Sequence, residues 1–361
     1  MQKNYAKLSL IQTVVFTLIV TTFFWANSFF NILTPEVTPI RDYGVTKIGE
    51  GLNSILTKEP IIEAIISLLI KFVNIILVYR IFVRNVIHIA GGHIVMLMYA
   101  LIYGIFANRG CTLIPEIAAF LLLNGVNYSF QIKKLVNSSR SFFLHSFFIS
   151  VAAMLFTPSY IAIIIIATRA IIFQRFYHRE LISLFVGFML PIFFLSYYNW
   201  LVYDDFSRYS VMVKDVEIGE FAFLSVERFL NASIIKILAI LLFSYSSVLA
   251  AVRYYESKDK RMRVRNSMIV WGVFLFTIYV ITFLFVMITS TIAPIIALPF
   301  AMFTSLYFCL NRKIGEANII FASILLLFLL SNVVEHHITI NEIIILLKGT
   351  SKNWISSAFP F

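Results

Sequence analysis

Long apolar stretches recur along the whole of this 361-residue chain. About eleven of them approach the roughly 20 residues that a helix needs to cross the hydrocarbon core of a bilayer. A soluble fold would expose large apolar patches to water, because 60% of the residues are hydrophobic and only 13% are charged. In hydrocarbon, a helix bonds every backbone polar group within its own segment. The sequence therefore predicts an all-α fold, a polytopic transmembrane helical bundle.

The predicted spans are residues 8–30, 61–82, 86–106, 113–130, 141–156, 159–174, 181–203, 232–252, 267–288, 292–310 and 317–334.

Basic residues indicate which ends of the spans face the cytoplasm, because Arg and Lys in short loops mark that side. Clusters at 133–140, 175–179 and 253–265 fall on one side of the predicted map, together with Lys3 and Lys7. Most of the acidic residues fall on the other side. The N-terminus is therefore predicted to be cytoplasmic, and an odd number of spans, about 11, makes the C-terminus extracytoplasmic.

Two long apolar regions must each contain two crossings. Residues 141–174 are too long for one helix, and the basic clusters on both sides of them belong on the cytoplasmic side. Thr157 and Pro158 supply the turn, because proline disfavours helix in the residue before it and lacks a backbone donor. The same reasoning divides residues 267–311 near Ser290 to Ile292.

The chain is predicted to form a single integral membrane domain over residues 1–361. Extracytoplasmic loops are expected at 31–60 and 204–231, and a short C-terminal tail at 335–361. We see no strict sequence repeat.

Apolar residues at helical spacing in the first loop predict an amphipathic helix that lies on the membrane surface over residues 45–58. Gly49 and Gly51 oppose this prediction, because glycine is a poor helix former. The apolar positions are Val45, Ile48, Leu52, Ile55 and Leu56.

The net charge of +11 does not indicate a nucleic-acid partner, because the basic residues follow the predicted topology. Membrane lipids are the expected partners. The six histidines are scattered over both predicted sides, and Cys111 and Cys309 form no close pair. We therefore expect no metal site, and no motif identifies a cofactor.

Lys71 is the charged residue near the middle of a predicted span. A charge in hydrocarbon costs at least a few kcal/mol and is rarely kept without a role. Glu63 lies about two turns earlier on a similar helix face. The pair has two interpretations: a structural polar contact, or part of a path for a substrate or ion. Glu116 and Lys236 lie close to predicted outer ends, where we expect them at the membrane interface.

Three aspartates in the outer loops are candidate catalytic residues. Asp42 lies in the first loop, and Asp204 and Asp205 follow the seventh span after a run of aromatic residues. A carboxylate near the outer membrane surface can act as a general base or metal ligand toward a lipid-linked substrate. The alternative is that these acids only follow the outward bias of acidic loops.

Residues 75–205 resemble a known family. The segments LIPEIAAFLLL, QIKKLVNSSRSFFLHSFFISVAAMLFTPSYIAIIIIATRAIIFQRF and HRELISLFVGFMLPIFFLSYYNWLVYD look like an uncharacterised family of multispanning inner-membrane proteins from Bacteroidota. The resemblance implies a multi-pass protein of the bacterial cell inner membrane and a role in the cell envelope. It brings no active residues to carry over.

A weaker, architectural likeness is to the integral-membrane glycosyltransferases that use polyprenyl-phosphate sugars. Those enzymes have a similar number of spans and a first outer loop with surface helices and a catalytic acid. This chain has the loop and Asp42. It lacks the paired acidic residues, followed by histidine or tyrosine, that many such enzymes show, and likeness of fold alone is a weak basis for function.

The sequence is compatible with three functions, and they do not decide whether the protein is an enzyme. The first is a glycosyltransferase-like protein of cell-envelope biogenesis that acts on a polyprenyl-linked glycan with Asp42, Asp204 or Asp205. The second is a transporter or flippase with a polar path at Lys71 and Glu63. The third is a non-catalytic membrane subunit of an envelope complex. Polar side chains should converge at the outer rim of the bundle in a glycosyltransferase, at the midplane of the membrane in a transporter, and nowhere in a non-catalytic subunit.

Overall fold

The computed structural model describes residues 10–33, 45–56, 60–85, 92–107, 113–132, 138–174, 177–203, 234–256, 262–285, 292–311 and 313–333. Within these ranges the chain forms helices, turns and one isolated bridge between Val45 and Phe156. The predicted all-α fold is confirmed for this part of the chain.

The α-helices are α1 (Leu10–Leu33), α2 (Lys47–Leu56), α3 (Pro60–Asn85), α4 (Ile94–Ala107), α5 (Leu113–Ser129), α6 (Ser139–Leu155), α7 (Ile163–Phe173), α8 (His178–Tyr203), α9 (Ile234–Glu256), α10 (Met262–Phe285), α11 (Ala293–Leu310) and α12 (Ile314–Val333). A 3₁₀ helix, Thr157–Ala162, connects α6 to α7.

Five of the described helices are long and apolar enough to cross a membrane. They are the segments Ile62–Arg84, His178–Val202, Ile234–Glu256, Ala293–Leu310 and Gly315–Asn332. Shorter apolar helical segments occur at Leu10–Phe23, Ile94–Ala107, Ser139–Leu155, Thr157–Phe173 and Val264–Val280.

Both predicted breaks in the long apolar regions are confirmed. α6 ends at Leu155, and Phe156 has an extended backbone before the 3₁₀ helix, which has proline in its first turn. α10 ends at Phe285 and α11 begins at Ala293. Proline starts each new helix well because it lacks the N–H that a first turn leaves unbonded.

The two central helices of the bundle are α4 and α11. Every residue of α4 is buried, and so is every residue of α11 except Leu310. α4 packs against α1, α3, α11 and α12, while α11 also packs against α9 and α10. Phe106 of α4, Phe243 of α9 and Phe300 of α11 form one aromatic cluster, with ring centroids 5.4 to 6.1 Å apart.

A second group of helices, α5, α6 and α8, packs beside this centre. Glycines allow the close approach: a Cβ added at Gly125 of α5 would lie 3.2 Å from the carbonyl oxygen of His145. A Cβ added at Gly187 of α8 would lie even closer to two residues of α6, Phe143 and Ser146. Small residues at helix contacts are typical of packing in membranes, where backbones approach closely.

Arg169 of α7 closes the C-terminal end of α5. Its guanidinium donates to the carbonyl oxygens of Ser129 (3.4 Å), Phe130 (3.2 Å) and Ile132 (3.1 Å). It also stacks between the rings of Phe130 and Phe173. The last carbonyls of a helix have no partner within the helix, so this buried cation both bonds them and complements their partial negative charge.

The predicted amphipathic helix is present as α2. Thr46 caps it, since its Oγ1 accepts a hydrogen bond from the N–H of Gly49 at 3.2 Å. Thr46 also bonds to the end of α6: its N–H donates to the Leu155 carbonyl at 3.2 Å, and its hydroxyl donates to the Met154 carbonyl. α2 therefore lies across the ends of α5 and α6.

Gly49, which opposed the helix prediction, has a packing role. A Cβ there would lie 2.6 Å from the carbonyl oxygen of Leu155 and 3.1 Å from Ile114. Gly51 has nothing within 4 Å of the same position. Ile55 is 66% exposed, so the apolar residues of α2 divide between the bundle and its surroundings.

We expect Gly49→Ala to weaken the packing of α2 by about 1–3 kcal/mol, because the added methyl group meets backbone that cannot move aside. Gly51→Ala is the matched control and should be neutral or stabilising by up to about 1 kcal/mol. Thermal unfolding of the two purified variants in the same detergent measures the difference. Equal midpoints would contradict this account of α2.

Candidate functional site

Lys71 of α3 and Glu116 of α5 form a buried ion pair. The Lys71 Nζ and Glu116 Oε1 atoms are 3.1 Å apart, and the two side chains are only 3% and 1% exposed. Lys71 lies near the middle of α3, whereas Glu116 lies in the first turn of α5. Two opposite charges are thus enclosed together inside the helical bundle.

Further polar groups surround the carboxylate of Glu116. Tyr103 of α4 donates its hydroxyl hydrogen to Oε1 at 2.9 Å, and Ser67 of α3 donates to Oε2 at 2.9 Å. The side-chain amide of Asn74 donates to the backbone carbonyl of Glu116 at 3.2 Å. Both carboxylate oxygens are therefore bonded, and residues of two helices, α3 and α4, converge on this residue of α5.

The sequence builds this arrangement from local helix geometry. Ser67, Lys71 and Asn74 are four and three residues apart, so they occupy one face of α3, which is the face turned to α4 and α5. Glu116 lies where the first N–H groups of α5 carry partial positive charge, which favours a carboxylate. The ion pair and the hydrogen bonds to the carboxylate offset much of the cost of removing the two charges from water.

A small cavity adjoins the ion pair. Polar groups line it from α3 and α4, and α1 and the start of α11 complete its wall; the lining includes Thr21, Lys71, Asn74, Tyr99, Tyr103 and Pro294. It has room for about one water molecule. The Oδ1 atom of Asn74, at its wall, accepts no hydrogen bond from the described residues. In this conformation the cavity admits nothing as large as a sugar or a lipid headgroup.

Lys71 faces the bundle interior, as both interpretations of this residue require. Its ion-pair partner is Glu116 rather than Glu63, which is half-buried nearer the start of α3. Glu116, which we expected at the membrane interface, is 1% exposed although it lies in the first turn of α5. α2 packs against this end of α5, where Gly49 approaches Ile114.

The three candidate catalytic acids, Asp42, Asp204 and Asp205, lie outside the described residues. Their roles stay predictions. Among the residues that the structure describes, no group of three or more His, Cys, Asp or Glu side chains is arranged to hold a metal ion.

A second ion-pair cluster connects α9 to α12. Arg253, near the end of α9, contacts Glu316 in the first turn of α12 at 3.1 Å and Glu256 at 2.9 Å. Close by in sequence, Asn311 donates to the hydroxyl oxygen of Tyr307 at 2.7 Å. Arg253 and Glu316 are 19% and 25% exposed, so this cluster is more open than the Lys71 site.

We expect Lys71→Met and Glu116→Gln each to destabilise the protein by about 3–5 kcal/mol, because either change leaves one buried charge without its partner. The double variant should lose clearly less than the sum of the two, since it leaves no unpaired charge. Thermal or denaturant unfolding in detergent measures all three, with the exposed Lys313→Met as control. Additive losses would show that the two residues do not interact.

The candidate functional site consists of Lys71, Glu116 and their hydrogen-bond partners. Comparisons of this chain with models of protein families, with curated proteins and with solved structures give no match.

Proposed function

We propose that this protein is a multi-pass transport protein of the bacterial inner membrane, with Lys71 and Glu116 at a polar site on its transport path. The observation that carries the proposal is their fully buried ion pair, with Ser67 and Tyr103 hydrogen-bonded to the same carboxylate. Ionisable residues inside a membrane are costly, and they mark substrate paths, ion paths and proton relays.

The place where polar groups converge favours transport over the alternatives. The Lys71 site gathers polar side chains from three helices inside the bundle, beside a cavity. In a non-catalytic subunit the same ion pair would have only a structural role. A transferase acting on a polyprenyl-linked glycan would use acids at the outer rim; Asp42, Asp204 and Asp205 lie outside the described residues, so that hypothesis rests on the sequence alone.

The proposal includes about eleven crossings, a cytoplasmic N-terminus and an extracytoplasmic C-terminus. Five contacts support this map, because each joins two helix ends or loops that the map puts on the same side. They are Thr46 with Leu155, Ser138 with Glu180, Arg169 with Phe130, Arg253 with Glu316, and Ser331 with Ile105. If the chain crossed the membrane once more or once less between two such partners, they would lie on opposite sides of the bilayer and could not be in contact.

The charge asymmetry of the loops and the resemblance to Bacteroidota proteins support an inner-membrane location. The same resemblance supports a role of the transport in the biogenesis of the cell envelope. Membrane lipids are the surrounding partners.

The double variant Lys71→Met with Glu116→Gln tests transport against a structural role. Both changes keep the size of the side chain and remove the charge, so the protein should still accumulate in the membrane. In a strain that lacks the native gene, we expect this variant to fail to restore resistance to detergents, while the exposed Lys313→Met restores it. Full restoration by the double variant would leave the ion pair with a structural role only.

Reporter fusions test the topology. A phosphatase fused after Arg265 should be inactive, because that site is predicted to be cytoplasmic, whereas one fused at about residue 215 should be active outside the membrane. A cytoplasmic reporter fused at the same two sites should give the opposite pattern. Reversed activities at both sites would overturn the orientation.

A further inference from the structure

A short motif occurs twice in the sequence. Residues 103–116 read YGIFANRGCTLIPE, and residues 307–316 read YFCLNRKIGE. Both have tyrosine, then Asn-Arg, then isoleucine, a proline or glycine, and glutamate. Only the lengths of the connecting segments differ, which is why the likeness is not visible as a strict repeat.

The two copies occupy equivalent places in the fold. Tyr103 lies in α4 and Glu116 in the first turn of α5, while Tyr307 lies in α11 and Glu316 in the first turn of α12. α4 and α11 are the two central helices, and they pack against each other. The order α1, α3, α4, α5 thus matches α9, α10, α11, α12, with α2 as an addition to the first unit.

The two glutamates lie at opposite ends of the bundle. Ser331 of α12 donates to the carbonyl of Ile105 at 2.9 Å, two residues from Tyr103 in the first copy of the motif. Glu316 lies fifteen residues before Ser331 on the same helix, which is about 22 Å along its axis. On the proposed topology α4 and α11 cross in opposite directions, so the two units are inverted relative to each other.

Each glutamate has a cation, and the two sites differ in closure. Glu116 pairs with Lys71 of α3, and both are almost fully enclosed. Glu316 pairs with Arg253 of α9, and both are partly exposed. The cation therefore comes from a different helix in each unit. The Lys71–Glu116 site is closed, whereas the Arg253–Glu316 site is more open. This is the pattern of a transporter that is open to one side of the membrane at a time.

We infer that the Lys71–Glu116 and Arg253–Glu316 pairs are two gates at the ends of inverted repeats, which open in alternation. The inference rests on the proposed transport function and adds a second functional site to it. Inverted repeats with short central helices are a common architecture of secondary transporters, in which one unit moves against the other about a central site. The first gate faces the outer side and the second faces the cytoplasm.

Alternation makes a prediction that independent ion pairs do not. A state that is open to the outside needs the Arg253–Glu316 gate closed, so removing Arg253 should disfavour that state. Removing Lys71 should favour it, because the outer gate no longer holds. Removing Arg253 should therefore change accessibility at the opposite end of the bundle, near Lys71. The reason is that a residue shifts the equilibrium between the two open states only by contributing differently to each of them.

Cysteine labelling measures this coupling without a known substrate. Ala100 lines the cavity beside Lys71 and is replaced by cysteine, with Cys111 and Cys309 changed to alanine. Intact cells are treated with a membrane-impermeant maleimide. We expect Lys71→Met to increase labelling of this position, and the further change Arg253→Met to decrease it again, on the order of 5-fold or more.

The control is Arg265→Met, an exposed arginine in the same basic segment, which should leave the labelling unchanged. Glu316→Gln should act like Arg253→Met and replaces it if that variant does not accumulate. Labelling that Arg253→Met and Glu316→Gln leave unaltered would overturn the paired gates, even where the Lys71 and Glu116 variants abolish function. Coupled labelling in a protein whose Lys71 and Glu116 double variant is fully functional would instead overturn the transport proposal.

Discussion

The ion pair between Lys71 and Glu116 is the constraint on which the central part of the bundle depends. A charge in hydrocarbon is costly, so each residue needs the other, and together they require the hydroxyl groups of Ser67 and Tyr103 to be in reach. These contacts set the positions of α3, α4 and α5 relative to one another. The helix that supplies Tyr103, α4, is completely buried and contacts α11, so the same constraint extends to the second half of the chain.

Much of the helical architecture could be predicted from the sequence, because apolar length and charged loops are properties of single segments. The break at Pro158, the helix α2 and the inward position of Lys71 were all within reach of such reasoning. Glu116 was assigned to the interface because sequence gives the distance of a residue from a helix end, but not the depth of that end in the bundle. Its partner lies on another helix, and no local pattern connects the two.

The role of α2 illustrates why a packing surface is harder to predict than a helix. A glycine in a short helix reads as a weakness when only helix propensity is considered. Gly49 instead lets the helix approach the carbonyl of Leu155, and the cap at Thr46 adds two further bonds to α6. These contacts bring together residues that are about a hundred positions apart, which propensity cannot foresee. The result is a cover over the end of α6 and the start of α5.

The capping of α5 by Arg169 also sets an order for biosynthesis. The carbonyl of Phe130 and the guanidinium that bonds it are 39 residues apart, with α6 between them. At a synthesis rate of about 5–20 residues per second, the ribosome adds Arg169 roughly 2–8 seconds after that carbonyl. During this interval the end of α5 must find its hydrogen bonds elsewhere. The final packing around the end of α5 can therefore form only after α6 and Arg169 of α7 have been made.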